Sequence, residues 1–434
     1  MNNSSAMKKQ YPLAVGILLE QPVIRFAFRA PYACSNGKQY NNEQSAMCHN
    51  GKILFDGHEY DELTFTAKGG TFMIHDVIIG VNFHWQRRED QVFEGNFKLI
   101  VENGKLTAVN LIGVEDYLTS VISSEMSATS SLELLKAHAV TSRSWVLCPI
   151  IRGDANTETV KGENTPERHI VWYERDDHQH FDVCADDHCQ RYQGITRLSA
   201  AKENVRKAIE ATWGLVIKDE KGMVCDARFY KSCGGATELF ENAWADTHFS
   251  YLEPVRDDAE DSLPDLTVEE NAIRWIRTAP KAFCNTRDAR VLSQVLNDYD
   301  QETTEFYRWK VVYTTEELSE IVRNRSGIDF GTIIDLIPVR RGPSGRIIEL
   351  KIVGSKKTLL VGKELEIRKW LSKSHLYSSA FVVDKEDGKF ILTGAGWGHG
   401  VGLCQIGAAV MADQGYSYDK ILAHYFPGSK LEEL

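Results

Sequence analysis

The sequence lacks a long hydrophobic run, a cluster of basic residues and a regular spacing of cysteines. The longest apolar stretch near the amino terminus, residues 12–19, stops at Glu20 and is too short to span a bilayer. Asp and Glu (61) outnumber Lys and Arg (50), giving a net charge of -11. Phosphate binding needs clustered positive charge, so we expect no nucleic-acid partner. The shortness of the apolar stretch predicts that there is no transmembrane segment.

An export signal is not evident either. Lys8 and Lys9 precede the apolar stretch as they would in a signal peptide, but no small-residue cleavage site directly follows it. The alternation of apolar and polar residues instead continues through Arg29, which is typical of a first β-strand.

The 9 cysteines are odd in number and scattered along the chain. Small disulfide-stabilised domains show dense, regularly spaced pairs, so this distribution favours free thiols or a metal site.

The order of apolar patterns predicts an α+β fold. Residues 12–112 form short β-rich runs separated by Gly and Asn, and we assign them to an amino-terminal lobe. Residues 113–430 are assigned to a region with central helices and a mixed α/β carboxy-terminal part that together form a cleft. A polar insertion is expected near residues 152–179.

Two helices are predicted where the β-rich part ends. The first begins after Val114, with apolar residues on one side. Ser130 and Glu133 have the spacing of a capping box, which predicts the start of a second helix that reaches Val146.

Glu125 lies between these two predicted helices, beside the apolar Ile122 and Met126. Desolvation disfavours the charged form of a carboxyl group and suits a general acid, so Glu125 is a candidate proton donor. Arg143, on the second helix, is a candidate to orient this carboxylate. The alternatives are a solvated surface charge and a weak surface ion pair.

Residues 178–189 contain three histidines and two cysteines. Sulfur and imidazole nitrogen are the donors that Zn²⁺ prefers. We predict His178, Cys184 and Cys189 as the ligands, with His180 and His188 as further candidates. The alternative is a polar loop with two free thiols.

A glycine-rich segment spans residues 394–407. It lacks the Lys-Ser/Thr pair of a phosphate loop and does not match the dinucleotide-binding pattern. Dense glycines allow the backbone to approach either packed protein or a sugar ring. His399 and Gln405 are candidate polar contacts to such a ring.

Residues 228–238 read as a strand that runs into a Gly-Gly turn. Ser232 and Thr237 are candidate hydrogen-bonding groups at a cleft edge. Cys233 would serve as a nucleophile only with a base nearby, and most isolated cysteines are packing residues.

Several motifs together resemble the SpoIID/LytB family. They are EDYL at 115–118, SEM at 124–126, LLKAHAVTSR at 134–143, HCQRYQG at 188–194, KSCGGATE at 231–238 and GHGVGLCQIGA at 398–408. Departures from the family pattern are Ser127, His138, Thr141-Ser142 and Cys404, where the family usually has Pro, Gln, Ala-Ala and Ser. None of them removes the glutamate of the SEM motif.

The resemblance implies a lytic transglycosylase that cuts the β-1,4 bond after N-acetylmuramic acid in peptide-free peptidoglycan strands. It implies that Glu125 is the catalytic residue and that the protein works outside the cytoplasm. Some members of the family bind zinc in the His/Cys region, where the resemblance suggests a structural zinc ion. The candidate substrate-binding residues are Arg143, Tyr230, Ser232, Gly234, Thr237, His399 and Gln405.

Two other functions stay open at this point. The LytB side of the family suggests a non-catalytic glycan-binding module that enhances a separate cell-wall amidase. A zinc-bound water that hydrolyses an amide or ester is the other, although two thiolates are more typical of structural zinc sites.

Overall fold

The computed structural model describes residues 10–80, 86–127, 130–153, 162–173, 178–186, 188–196, 202–260, 262–295 and 305–434. Helices and strands are mixed and the amino-terminal part is rich in strands, which confirms the α+β prediction. No helix among the described residues combines the length and apolar character needed to cross a bilayer.

The first ten strands and the first two helices follow one another along the chain: β1 (Pro12–Gln21), β2 (Val23–Cys34), β3 (Gln39–His49), β4 (Lys52–Phe55), β5 (His58–Tyr60), β6 (Leu63–Thr66), β7 (Thr71–Ile79), β8 (Arg87–Glu94), β9 (Asn96–Glu102), β10 (Lys105–Gly113), α1 (Val114–Glu125) and α2 (Leu132–Arg152). The later elements are β11 (Glu163–Asn164), β12 (Arg168–Ile170), β13 (Val183–Cys184), α3 (Lys202–Ala211), β14 (Leu215–Lys218), β15 (Phe229–Tyr230), α4 (Glu269–Thr278), α5 (Ala289–Val295), β16 (Arg308–Thr314), α6 (Thr315–Ser326), β17 (Ile333–Arg341), β18 (Ile347–Gly354), β19 (Thr358–Gly362), α7 (Glu364–Trp370), β20 (Phe381–Glu386), β21 (Lys389–Ala395), β22 (Leu403–Cys404), α8 (Gln405–Asp413), α9 (Tyr418–Tyr425) and β23 (Lys430–Glu433).

The chain folds as two compact units. Unit 1 comprises the described residues of 10–127 and 178–214, and unit 2 those of 130–173 and 215–434. The predicted division after residue 112 stays a prediction.

Unit 1 is built on a large sheet with the strand order β13-β1-β10-β9-β6-β2-β3-β4-β5, and β7 pairs with both β2 and β8. Alternating apolar residues of these strands meet in an aromatic core, where the rings of Phe26 and Phe97 lie 4.8 Å apart. Strand β13 pairs in parallel with β1, so it brings residues after 178 back to the first strand.

Helix α1 begins directly after β10. Its N-cap residue is Gly113, which has no side chain to satisfy the first amide groups. The side chain of Gln10 performs this role: its Oε1 accepts from the Glu115 amide at 3.0 Å, and its Nε2 donates to Asp116 at 2.9 Å.

Unit 2 contains a five-stranded sheet of order β11-β12-β19-β18-β17 and a three-stranded sheet of order β16-β21-β20, together with the short pairs β14-β23 and β15-β22. Trp309, Phe381 and Trp370 belong to its main apolar core. Of the predicted polar insertion, residues 154–161 and 174–177 lie outside the described residues. Its strands β11 and β12 extend the five-stranded sheet.

The predicted capping box at Ser130 is wrong. Ser131 is the N-cap of α2, and its Oγ accepts from the Leu134 amide. The hydroxyl of Ser130 donates instead to the carbonyl oxygen of Gln294, 2.8 Å away.

Replacing a central ring of the aromatic core tests the packing of unit 1. Phe97 is fully buried among other phenylalanine rings, so Phe97→Ala should lower the free energy of unfolding by about 3–5 kcal/mol. Val23→Ala, at a largely exposed position of the same sheet, should change it by less than about 0.5 kcal/mol. Urea denaturation followed by circular dichroism measures both, and equal losses would contradict this packing.

Candidate functional site

Glu125 is the last residue of α1, at the point where the helix gives way to extended backbone at Met126. Its side chain is half-buried, between the buried side chains of Ser124 and Met126. Oε1 of Glu125 accepts a hydrogen bond from the Arg191 amide at 3.4 Å. The carboxyl group is therefore held at one oxygen while part of it stays accessible.

One stretch, residues 188–194, forms a series of contacts with α1, and we call it the linking segment. Its Gln193 amide donates to the Ser120 hydroxyl at 3.1 Å, and its Gln190 side chain accepts from the Tyr117 hydroxyl at 3.3 Å. Together with the bond to Glu125, these contacts run along α1 for about two turns. The linking segment thus fixes the end of the helix that carries the carboxyl group.

Tyr192 attaches the linking segment to the sheet. Its ring stacks on that of Tyr117, with centroids 5.1 Å apart, and its hydroxyl donates to Oδ1 of Asn110 at 2.6 Å. Burial raises the pKa of Tyr192, so the hydroxyl keeps its proton for this bond. Gly194 has a positive φ of 59°, and a Cβ there would lie 2.2 Å from the Val92 carbonyl oxygen, so a side chain at this position is excluded.

The linking segment begins with two residues of a potential metal site. One donor atom from each of His178, Cys184, His188 and Cys189 lies within 4.8 Å of the other three. Cys189 Sγ is 3.5 Å from His178 Nε2 and 3.4 Å from His188 Nδ1. The structure therefore brings the three predicted ligands together and adds His188 as the fourth, whereas the side chain of His180 is exposed and is not one of these four donors.

The sheet positions this group, which we call the Cys2His2 group. Cys184 lies on β13, opposite Gly16 of β1. Phe181 stacks on the His178 ring, and a Cβ at Gly16 would lie 2.6 Å from the Phe181 ring. Hydrogen bonds with Cys189 and with the two imidazoles lower the pKa of Cys184 to about 2, against the effect of burial. Two sulfur and two nitrogen donors are a set that a divalent metal ion accepts.

In unit 2 the glycine-rich segment lies beside the Gly-Gly turn. Strand β22 pairs in parallel with β15, and Ser232 pairs with Trp397 through two main-chain hydrogen bonds. Gly234 has a φ of +76°, and a Cβ on it would lie 2.8 Å from the Gly396 amide. The glycines at this contact therefore allow two backbones to approach each other closely.

His399 is held by the main chain at both ring nitrogens. Nδ1 accepts from the Val401 amide at 3.1 Å, so Nε2 carries the proton and donates to the Phe229 carbonyl oxygen at 3.1 Å. Burial lowers the pKa of His399 well below its usual value. The ring is a neutral imidazole packed at its edges against Tyr230 and Trp244.

Other predicted substrate-binding residues are also bonded inside unit 2. Thr237 Oγ1 accepts from the Val255 amide, Gln405 contacts His138 Nε2 at 3.1 Å, and Arg143 donates to the Leu215 carbonyl oxygen. The side chains of Arg143, Tyr230, Ser232, Thr237 and Gln405 are buried. Their role in binding substrate, and that of Arg143 in orienting Glu125, stay predictions.

Arg346 is a central residue that the sequence reading missed, because it follows what looks like an ordinary turn at 341–345. Its guanidinium is fully buried. It donates to the carbonyl oxygen of Cys233 (3.3 Å), directly before the Gly-Gly turn, and to that of Gly398 (3.1 Å) in the glycine-rich segment. A Cβ at Gly400 would lie 2.5 Å from this guanidinium, so the glycine there makes room for it.

Glu238 is a second missed residue of this region. Its fully buried carboxylate accepts from the Leu239 amide at 2.9 Å, from Asn242 at 2.7 Å and from the Ser344 hydroxyl. Burial raises its pKa, in opposition to these hydrogen bonds. No local pattern around residue 238 predicts a carboxylate that connects to Ser344, more than a hundred residues away.

Comparisons with known proteins agree with the motifs between residues 115 and 194. The family model described as stage II sporulation protein (SpoIID) matches residues 102–218, and one described as a domain of unknown function (DUF8618) matches residues 238–402. The SpoIID match contains Glu125, the Cys2His2 group and the linking segment.

Three relatives illustrate the similarity. An uncharacterized protein of Brachyspira hyodysenteriae is 24% identical over 433 residues, which cover 99% of this chain and 95% of the relative. Stage II sporulation protein D of Bacillus subtilis is 23% identical over 326 residues, 75% of this chain and 76% of that protein. The amidase enhancer of the same organism is 26% identical over 331 residues, which cover 72% of this chain but 40% of the enhancer.

Removal of the buried guanidinium tests its importance for unit 2. Arg346→Met should lower the free energy of unfolding by about 3–5 kcal/mol, because the buried carbonyl oxygens of Cys233 and Gly398 lose their donor. The variant also removes one of the two cations near the buried Glu364 carboxylate and leaves Arg368 as the other. Arg340 is largely exposed and pairs with Glu349, so Arg340→Met should cost about 1 kcal/mol or less. Chemical denaturation of both variants measures the free energy of unfolding. A similar decrease in the two variants would show that Arg346 does not contribute more to the stability of unit 2 than an exposed arginine does.

Proposed function

Because the chain belongs to the SpoIID family, we propose that it acts on the bacterial cell wall as a lytic transglycosylase, with Glu125 as the proton-transfer residue. The proposed substrate is a peptidoglycan strand stripped of stem peptides, cut at the β-1,4 bond after N-acetylmuramic acid. Such a role requires the protein to work outside the cytoplasm.

A single carboxyl group suffices for this reaction. Glu125 as an acid protonates the leaving glycosidic oxygen, and the carboxylate then takes the proton of the muramic 6-hydroxyl as that oxygen attacks the anomeric carbon. The product is a 1,6-anhydro sugar. No water enters, so the second carboxylate of hydrolytic glycosidases is not needed.

The observation that supports this proposal best is the setting of Glu125. A carboxyl group that gives and takes protons must be both reachable and fixed. Glu125 is half-buried at the end of α1, and the Arg191 amide binds one of its oxygens. A main-chain donor of this kind orients the group without supplying a competing charge.

We also propose that the Cys2His2 group binds Zn²⁺ in a structural role. Two sulfur and two nitrogen donors complete a tetrahedral shell and leave no position for a reactive water. His188 and Cys189 are the first residues of the linking segment, and Arg191 is the residue that contacts Glu125. An ion bound by these ligands would limit the motion of the linking segment, which favours this role over metal-dependent hydrolysis.

A second candidate function is a non-catalytic glycan-binding module that enhances an amidase. One relative carries the name amidase enhancer, and this chain matches 40% of its length. In that case the glycan would bind without being cut, and Glu125 would be dispensable.

Glu125→Gln tests the first candidate. It should reduce the release of anhydro-muramic ends by at least about 10²-fold, because glutamine cannot transfer the proton. Purified peptide-free strands are incubated with each protein and the products are analysed by mass spectrometry. Asp116→Asn is the matched control, since it removes an exposed carboxylate of the same helix, and it should keep the activity.

Three other outcomes would reject this assignment. Reducing ends would indicate hydrolysis. Equal activity of wild type and Glu125→Gln would remove Glu125 from the mechanism. Strand binding without cleavage, together with faster release of stem peptides by an added amidase, would support the enhancer function instead.

Cys189→Ser tests the metal proposal. The variant should lose about one zinc ion per chain and melt about 5 °C or more below wild type, because metal binding contributes directly to folding. Cleavage should fall with it, since the linking segment loses an anchor. Cys48→Ser is the control, because it removes a half-buried thiol of unit 1 outside the group. It should change neither the zinc content nor the melting temperature. Metal analysis by mass spectrometry that shows equal zinc in all three proteins would contradict the proposal.

A further inference from the structure

Unit 2 contains a second group of side chains that could hold a metal ion, separate in sequence from the Cys2His2 group. One donor atom from each of Cys233, Asp257, Cys284 and Cys404 lies within 4.8 Å of the other three. All four residues are at most 1% exposed. We call them the Cys3Asp cluster.

The four residues come from separate segments. Cys233 precedes the Gly-Gly turn, and Cys404 ends β22 and caps α8. Asp257 is fixed by main-chain bonds to Gly235 and Phe283. The fold therefore assembles the cluster from positions up to 171 residues apart. For this reason no local sequence motif predicts it.

Three main-chain amides donate hydrogen bonds to sulfur atoms of the cluster. Cys404 Sγ accepts from the amides of Cys233 (3.3 Å) and Gly407 (3.4 Å), and Cys233 Sγ accepts from the Gly235 amide (3.3 Å). Such donors stabilise thiolates and are typical of the surroundings of metal-bound sulfur.

The carboxylate of Asp257 is surrounded in the same way. Oδ2 accepts from the Cys284 amide at 2.9 Å, and Oδ1 accepts from the Tyr425 hydroxyl at 2.6 Å. In the described part of the chain, no Lys, Arg or His forms an ion pair with it. A fully buried carboxylate without a cation is costly, so a simple packing role explains this group poorly.

The nearby guanidinium groups do not pair with the Asp257 carboxylate. Arg308 donates to the Gly234 carbonyl oxygen at 3.0 Å, and Arg346 donates to that of Cys233. Both guanidinium groups therefore bind main-chain oxygens next to the cluster.

We propose that the Cys3Asp cluster binds one Zn²⁺ ion in a closed, structural site. At a Zn–S distance of about 2.3 Å, tetrahedral donors lie about 3.8 Å apart. The sulfur atoms of Cys233 and Cys284 are 3.4 Å apart, and the four donor atoms all lie within 4.8 Å of one another. Zinc accepts three thiolates together with a carboxylate oxygen.

This ion would link the Gly-Gly turn to the start of α8. Those two segments carry Ser232, Gly234 and Gln405, which are predicted to bind substrate. The paired strands β15 and β22 have only two residues each, so the metal would add a strong constraint where the hydrogen-bond ladder is short. This proposal stands independently of glycan cleavage.

The experiment compares zinc bound to the purified full-length protein and its variants, measured by mass spectrometry. Cys404→Ser should hold about one zinc ion per chain less than wild type, because one of four ligands is lost. The serine hydroxyl can still accept from the Gly407 amide, which favours folding of α8. Cys225→Ser, which removes another buried thiol of unit 2, is the control and should match wild type.

A double variant that lacks the other group of ligands tests whether the Cys3Asp cluster binds zinc by itself. Cys184→Ser/Cys189→Ser removes the Cys2His2 group and should retain about one zinc ion, held by the Cys3Asp cluster. With cobalt in place of zinc, this variant should show thiolate-to-cobalt absorption, so the proposal can be decided even if Cys404→Ser does not fold.

Two results would overturn the proposal. One is the absence of bound metal in the double variant, with zinc content equal in wild type and Cys404→Ser. The other is a Cys233–Cys284 disulfide, detected by mass spectrometry in unreduced wild-type protein, because that bond would consume two of the ligands.

Discussion

The main-chain hydrogen bonds between the linking segment and α1 are the constraint on which the geometry around Glu125 depends. A helix end is ordinarily the part of a helix that frays first. Here the end of α1 is covered by a segment whose amides bind Ser120 and Glu125, while Tyr192 fixes that segment to the sheet through Asn110. The same seven residues begin with two members of the Cys2His2 group, so these potential metal ligands and the residue that orients the carboxyl group belong to one local structure.

In unit 2, irregular backbone segments lie in close contact although the strands that join them, β15 and β22, are short. Glycines at 234, 396 and 400 let chain segments approach within distances that a Cβ would forbid. The buried guanidinium of Arg346 then satisfies carbonyl oxygens that the short strands leave without partners. The buried Glu238 carboxylate is likewise bonded, since it accepts from the Leu239 amide and from the Asn242 side chain.

Local patterns predicted the β-rich lobe, the start of α1 and most of the Cys2His2 group, because alternation, helical period and ligand spacing are properties of neighbouring residues. These patterns did not predict hydrogen bonds between residues that are far apart in the sequence. Ser130 looked like a cap but donates to Gln294, and Gln10 caps α1 across more than a hundred residues. Ligand spacing alone also left two further candidates, of which His188 lies with the other donors while His180 is exposed. The Cys3Asp cluster gave no signal, since its members share no spacing.

The contact between Arg191 and Glu125 has a consequence for mutational tolerance. The donor is the peptide N–H and not the guanidinium, so almost any amino acid at position 191 supplies the same hydrogen bond. Proline is the exception, because its ring nitrogen carries no hydrogen. Sequences with very different side chains at this position can therefore share the same carboxyl geometry, and a comparison of side chains alone would overlook the residue that creates it.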